Sequence, residues 1–151
     1  MSIDTDEMFI PGQAGRIQTK YLEGKKKEAP IVLILHPHPQ YGGTMNNRII
    51  YETYRVFFKN GFSVCKINFR GVGKSDGTFD NGQGELSDAA GALDWLEKKN
   101  INYNQCWVAG FSFSIQSSAA AASESSPCPL SNTPSLFPTP LKFILITENP
   151  F

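Results

Sequence analysis

The sequence predicts an α/β protein built on a mostly parallel β-sheet, and three observations carry that prediction. Ile31 to Leu35, Phe62 to Asn68 and Gln105 to Phe111 are short runs dominated by apolar residues with no strict alternation, the form taken by strands covered on both faces. Two segments between them place apolar residues at three- and four-residue spacing, the form of amphipathic helices. The resulting order of strand, loop, helix, strand, loop, helix, strand suits right-handed crossovers on a parallel sheet.

Taken in order, Met8 to Ile10 and Arg16 to Leu22 are bounded by Pro11-Gly12, Gly15 and Gly24 and read as an antiparallel strand pair. Lys25-Lys26-Lys27 reads as a solvated turn. After the strand Ile31 to Leu35 comes a Pro/Gly-rich loop, Pro37 to Gly43. Met45 to Asn60 follows as a helix with Thr44 as N-cap, Ile49, Ile50, Thr53, Tyr54, Phe57 and Phe58 on its apolar face, and Asn60-Gly61 as its stop. Phe69 to Gly84 holds five glycines and no helical period, so it reads as a loop. Glu85 to Lys99 is a second helix, with Leu86, Ala89, Ala90, Leu93 and Leu96 facing the core.

Composition narrows the function. The 151 residues fit one domain, the formal net charge is zero and the basic residues are scattered, which argues against a nucleic-acid partner. No apolar stretch is long enough to span a bilayer, and Met1 to Glu7 carries three acidic residues and no basic one, unlike a signal or transit peptide. Cys65 and Cys106 lie in strand-like runs and Cys128 makes the number odd, so free thiols in a reducing cytoplasm are expected.

The chemistry centres on Trp107-Val108-Ala109-Gly110-Phe111-Ser112-Phe113-Ser114. A buried strand runs into small residues and a serine, with helix-compatible Ile115 to Ala122 behind. A sharp strand-to-helix turn of this kind exposes the serine hydroxyl at the carboxyl edge of the sheet, beside a helix N-terminus that favours an anion. Taken alone the motif also suits a serine that merely caps a helix. Upstream stand Leu35-His36-Pro37-His38-Pro39-Gln40-Tyr41-Gly42-Gly43, then Asn68-Phe69-Arg70-Gly71-Val72-Gly73-Lys74-Ser75-Asp76-Gly77, then Gly84-Glu85-Leu86-Ser87-Asp88 and Ala92-Leu93-Asp94-Trp95-Leu96. This ordered set resembles a bacterial α/β-hydrolase family related to the dienelactone-hydrolase and Xaa-Pro-dipeptidyl-peptidase-like groups, over about Ile31 to Phe113.

The resemblance implies a partial α/β-hydrolase fold whose C-terminal strands are missing or replaced. It implies a serine hydrolase acting on small esters, lactones or amides through an acyl-enzyme, with Ser112 as nucleophile and Gly110 and Ser114 in the two glycine positions of the elbow. Two backbone N–H groups would form the oxyanion hole. One belongs to Phe113. The other comes from the loop after Leu35, where Pro37 and Pro39 have no N–H, so His38 is the nearest donor and Gln40 the next. His36 and His38 could instead suggest zinc, but no third ligand stands near them, and no metal or cofactor is expected. Gly73-Lys74-Ser75 resembles the end of a phosphate-binding loop, yet Asn68 stands where its first glycine is needed.

Such a hydrolase needs an acid and then a histidine after the serine. After Ser112 there is neither histidine nor aspartate, and the only acids are Glu124 and Glu148. From Ser114 to Pro140 there are eight Ser, five Pro and four Ala in 27 residues. The expected organisation is therefore residues 1–113 as the N-terminal part of a hydrolase domain, 114–140 as a divergent, disordered tail and 141–151 as a possible extra strand, with Lys142 to Thr147 lying beside the strand that precedes Ser112. So abrupt a change inside a motif is what a shifted reading frame gives, and the chain as it stands is expected to be inactive. The competing expectation is a non-catalytic pseudo-hydrolase or interaction module.

Overall fold

The computed structural model describes residues 5–110 and the strand 142–145. The described elements are β1 (Glu7–Gly12), β2 (Gly15–Leu22), β3 (Ile31–Leu35), a 3-10 turn (Pro39–Tyr41), α1 (Arg48–Lys59), β4 (Ser63–Ile67), α2 (Gln83–Lys99), β5 (Cys106–Gly110) and β6 (Lys142–Leu145). The strands form a six-stranded sheet in the order β1-β2-β4-β3-β5-β6. β1 pairs antiparallel with β2 and β2 with β4, while β3 is parallel to both β4 and β5. β6 pairs parallel with the far side of β5, Trp107 opposite Lys142 and Gly110 opposite Leu145. The fold is a partial α/β-hydrolase fold.

The lack of alternation in β3 has a direct cause. A strand lies on each side of it, and alternate residues enter two different cores. Ile31, Leu33 and Leu35 join Cys65, Ile67, Leu93 and Leu96 on the face of α2, whereas Val32 and Ile34 join Ile50, Tyr54 and Val64 on the face of α1. No residue of β3 is more than 1% exposed. Truncating such a side chain, for example Leu33→Ala, removes about 2–5 kcal/mol.

The helices begin elsewhere than the sequence suggests. α1 starts at Arg48, three residues late, with Asn47 rather than Thr44 as its cap; Asn47 Oδ1 accepts the Ile49 N–H at 2.9 Å. The Thr44 hydroxyl instead accepts the Asn46 N–H, and the Met45 N–H is drawn away to Asn68 Oδ1 at 2.8 Å, so residues 44–47 form a turn before the helix. α2 starts two residues early, at Gln83, because Glu85 reaches back to accept the N–H groups of Gly82 and Asp80 at 2.8 and 2.9 Å. That side chain is fully buried at the N-terminus of the helix, where it closes a capping box.

Candidate active site

The connectivity selects one edge of the sheet. β3 is followed by α1 and then β4 on one side; β4 is followed by α2 and then β5 on the other side of β3. The carboxyl ends of the parallel strands β3, β4 and β5 lie together at this edge, where open α/β sheets bind ligands. Leu35, the last residue of β3, is in register with Gly110, the last of β5, and with Ile67, the last of β4. Ser112 and Phe113, the nucleophile and second hole donor suggested by the sequence, lie outside the described residues, as does the 114–140 segment.

The loop after β3 is anchored by His36, which is fully buried. Its Nε2 accepts the Phe69 N–H at 3.1 Å, so its Nδ1 must carry the proton and donate to the Pro37 carbonyl at 2.7 Å. Burial pulls its pKa from 6.5 down to about 4, against the opposing pull of that carbonyl. His36 is thus a neutral bracket between two loops. With both ring nitrogens engaged it can serve neither as triad base nor as metal ligand.

His38 caps the 3-10 turn. Its Nδ1 accepts the Gln40 N–H at 3.1 Å, and its carbonyl accepts from Tyr41 at 3.1 Å and Gly43 at 3.2 Å. The Gln40 amide is therefore engaged inside the loop. The ring of His38 stands between Tyr41 and Phe79, with centroids 4.9 and 5.1 Å away. Glycine at 43 is obligatory, since a Cβ there would collide with the Pro37 carbonyl.

The loop after β4 holds a polar scaffold that the sequence reading left without a role. Arg70 is paired with buried Asp88 of α2: Nη2 to Oδ1 at 3.0 Å and Nε to Oδ2 at 3.2 Å, while the Arg70 N–H also reaches Oδ2 at 2.8 Å. The guanidinium lies against Gly84, where a Cβ would overlap it. Asn68 Nδ2 donates to Gln18 Oε1 at 2.7 Å, and the Lys74 N–H donates to the same oxygen at 2.8 Å. Ser75 Oγ accepts the Gln18 N–H at 2.9 Å and donates to the Asn68 carbonyl at 2.7 Å. These bonds remove the phosphate-loop reading: the serine hydroxyl is consumed, and Lys74 Nζ is paired with Glu7 at 2.7 Å. The ordered blocks of the sequence contain Asn68, Arg70, Ser75, Gly84 and Asp88, but Gln18 lies outside them.

Cys65 and Cys106 are buried free thiols, and burial pushes the Cys65 thiol well above its usual pKa. Lys25, Lys26 and Lys27 are exposed, as a solvated turn requires. No described helix is long and apolar enough to cross a membrane.

The sheet order, its parallel core and the helices on its two faces define a partial α/β-hydrolase domain. Residues 16–130 match the X-Pro dipeptidyl-peptidase (S15) family, and the chain belongs to it. An uncharacterized protein of Rickettsia prowazekii is 49% identical over 107 residues, 71% of this chain but only 45% of that protein, so the chain spans less than half of that relative. A structure from Agrobacterium tumefaciens, of unknown function and assigned to the α/β hydrolases, is 41% identical with a TM-score of 0.75, over 93% of this chain and 70% of that one. An α/β serine hydrolase homologue from Coxiella burnetii is 31% identical with a TM-score of 0.74, over 96% of this chain and 75% of that one.

Proposed function

We propose that this chain carries the nucleophile and oxyanion half of a serine hydrolase that acts on small ester, lactone or amide substrates in the cytoplasm. Ser112 is the nucleophile, and the N–H groups of His38 and Phe113 stabilise the oxyanion. The observation that supports this best is the register of Leu35 with Gly110. His38 follows Leu35 by three residues and Ser112 follows Gly110 by two. Two extended residues reach roughly 7 Å, so the length of chain from Gly110 is compatible with a serine that works with the His38 loop.

The chemistry is acyl transfer. Ser112 Oγ attacks the substrate carbonyl, its proton passes to a base, and the leaving group departs from an acyl-serine. An imidazole does this work in such sites. The sequence has two histidines, both before Ser112, and His36 is neutral and fully engaged. No histidine follows Ser112 to act as the base in the chain order this fold uses, and the alternative of a non-catalytic module draws on the same fact. Without the base, only binding and the hole contribute, about 10³-fold over water.

The test supplies the base from solution. With p-nitrophenyl acetate alone, turnover should not exceed that of Ser112→Ala. With added imidazole, mass analysis should find an acetyl group on Ser112, with p-nitrophenolate released and the hydroxyl proton taken by imidazole. Acetylation confined to lysines, with none on Ser112, would overturn the assignment.

A further inference from the structure

We propose that Lys66 and Asn68 are positioning residues that set the His38 loop by gripping both backbone polar groups of Met45. The two lie two residues apart at the end of β4, so strand alternation puts them on one face, the face of α1. Lys66 is 3% exposed, and its Nζ donates to the Met45 carbonyl at 3.2 Å. Asn68 is 2% exposed, and its Oδ1 accepts the Met45 N–H at 2.8 Å. Met45 itself is fully buried. A residue held at both its N–H and its C=O cannot shift without breaking two buried hydrogen bonds.

A lysine in a core row of a sheet is costly, and an apolar side chain would fill the space more cheaply. Here the ammonium lies 5.0 Å from the ring centroid of Tyr54 and 5.5 Å from that of Tyr51. These faces offset part of its desolvation and fix its direction toward Met45. The Tyr54 hydroxyl is in turn within 3.1 Å of Thr5 Oγ1.

The loop is thus fastened at both ends to the same strand and its continuation. His36 takes the Phe69 N–H at the start, and Met45 is gripped by Lys66 and Asn68 at the end. Between these anchors the His38 carbonyl gathers the N–H groups of Tyr41 and Gly43, which fixes the direction of the peptide plane beyond His38. Asn68 also holds Gln18, so the grip on Met45 is rigidly referenced to the β2 side of the sheet. The inference rests on the proposed function only in taking this loop as the one that presents an oxyanion donor.

The test is residue-resolved amide hydrogen exchange on the full 151-residue chain. In the unaltered chain the Met45 amide should exchange at least about tenfold more slowly than that of its neighbour Asn46, bonded at the surface to Thr44. In Lys66→Met, the Tyr41 and Gly43 amides should exchange about tenfold faster while those of Leu33 and Val108 are unchanged. Equal acceleration at all four sites would mean that Lys66 supports only global stability, and would overturn the proposal. Met45 exchanging as fast as Asn46 would do the same, and needs no variant to fold. Neither result bears on acetylation of Ser112, so failure of the clamp is distinct from failure of the hydrolase reading.

Discussion

The two described loops at the carboxyl edge, 36–47 after β3 and 68–82 after β4, are shaped by opposite means. In the second, side chains do the shaping: Arg70 is paired with Asp88, Ser75 is wedged between Gln18 and Asn68, and Asp76 accepts the Arg16 N–H at 2.8 Å. In the first, the middle of the loop is shaped by its backbone. Pro37 and Pro39 restrict φ, Gly42 takes a φ of 77°, and Gly43 fits only because it has no Cβ, while Gln40 and Tyr41 face solvent. A loop whose polar side chains are all engaged is scaffold. A loop that turns its side chains outward and holds its backbone in place is suited to offering an N–H to a ligand.

The largest test of this contrast falls on the scaffold. Arg70→Met leaves Asp88, with a side chain 1% exposed, as an uncompensated buried charge, and should lower the unfolding free energy by about 3–5 kcal/mol in urea titrations. A loss under 1 kcal/mol would mean that the pair does not hold the loop. Next comes the bracket between the loops. The folded pKa of His36 lies at about 4, below its ordinary 6.5. The unfolded chain therefore binds the extra proton first as pH falls, and stability present above 6.5 drains away toward 4. From pH 7 to pH 4 the unaltered chain should lose ~3 kcal/mol more than His36→Gln does. Parallel pH profiles would contradict the neutral-bracket reading.

Ser75→Ala removes a buried hydroxyl that both accepts and donates, and should cost about 2 kcal/mol by the same denaturation measurement. The smallest effect belongs to the other loop: Gln40→Ala should change stability by less than about 0.5 kcal/mol, because its side chain is exposed and its amide is untouched. A cost as large as that of Ser75→Ala would erase the contrast.

The same contrast governs what the sequence made legible. The strands were read within a residue or two because burial on both faces leaves a local mark in Ile31 to Leu35. The proposal of His38 as an oxyanion donor draws on Pro37 and Pro39, which cannot donate, a fact of covalent structure. The start of α1 was not, since Thr44 is a sound cap until Asn68, far along the chain, takes the Met45 N–H. Nor was the role of Gln18, whose partners Asn68, Lys74 and Ser75 are 50, 56 and 57 residues away. Long-range polar pairing leaves no periodic trace, and Lys66, embedded in an apolar strand, reads locally as an ordinary solvent-facing residue.

In the proposed site the His38 backbone amide, rather than its ring, serves the oxyanion. The φ of His38 is −51°, which proline can adopt. His38→Pro therefore deletes the N–H with little change of backbone shape, whereas His38→Ala keeps the N–H and deletes the ring. The direct measurement is the initial rate of imidazole-assisted acetylation of Ser112 in both variants. The rate should fall about 10²-fold or more in His38→Pro and change within about a few-fold in His38→Ala. Equal rates in the two variants would contradict that role for the amide.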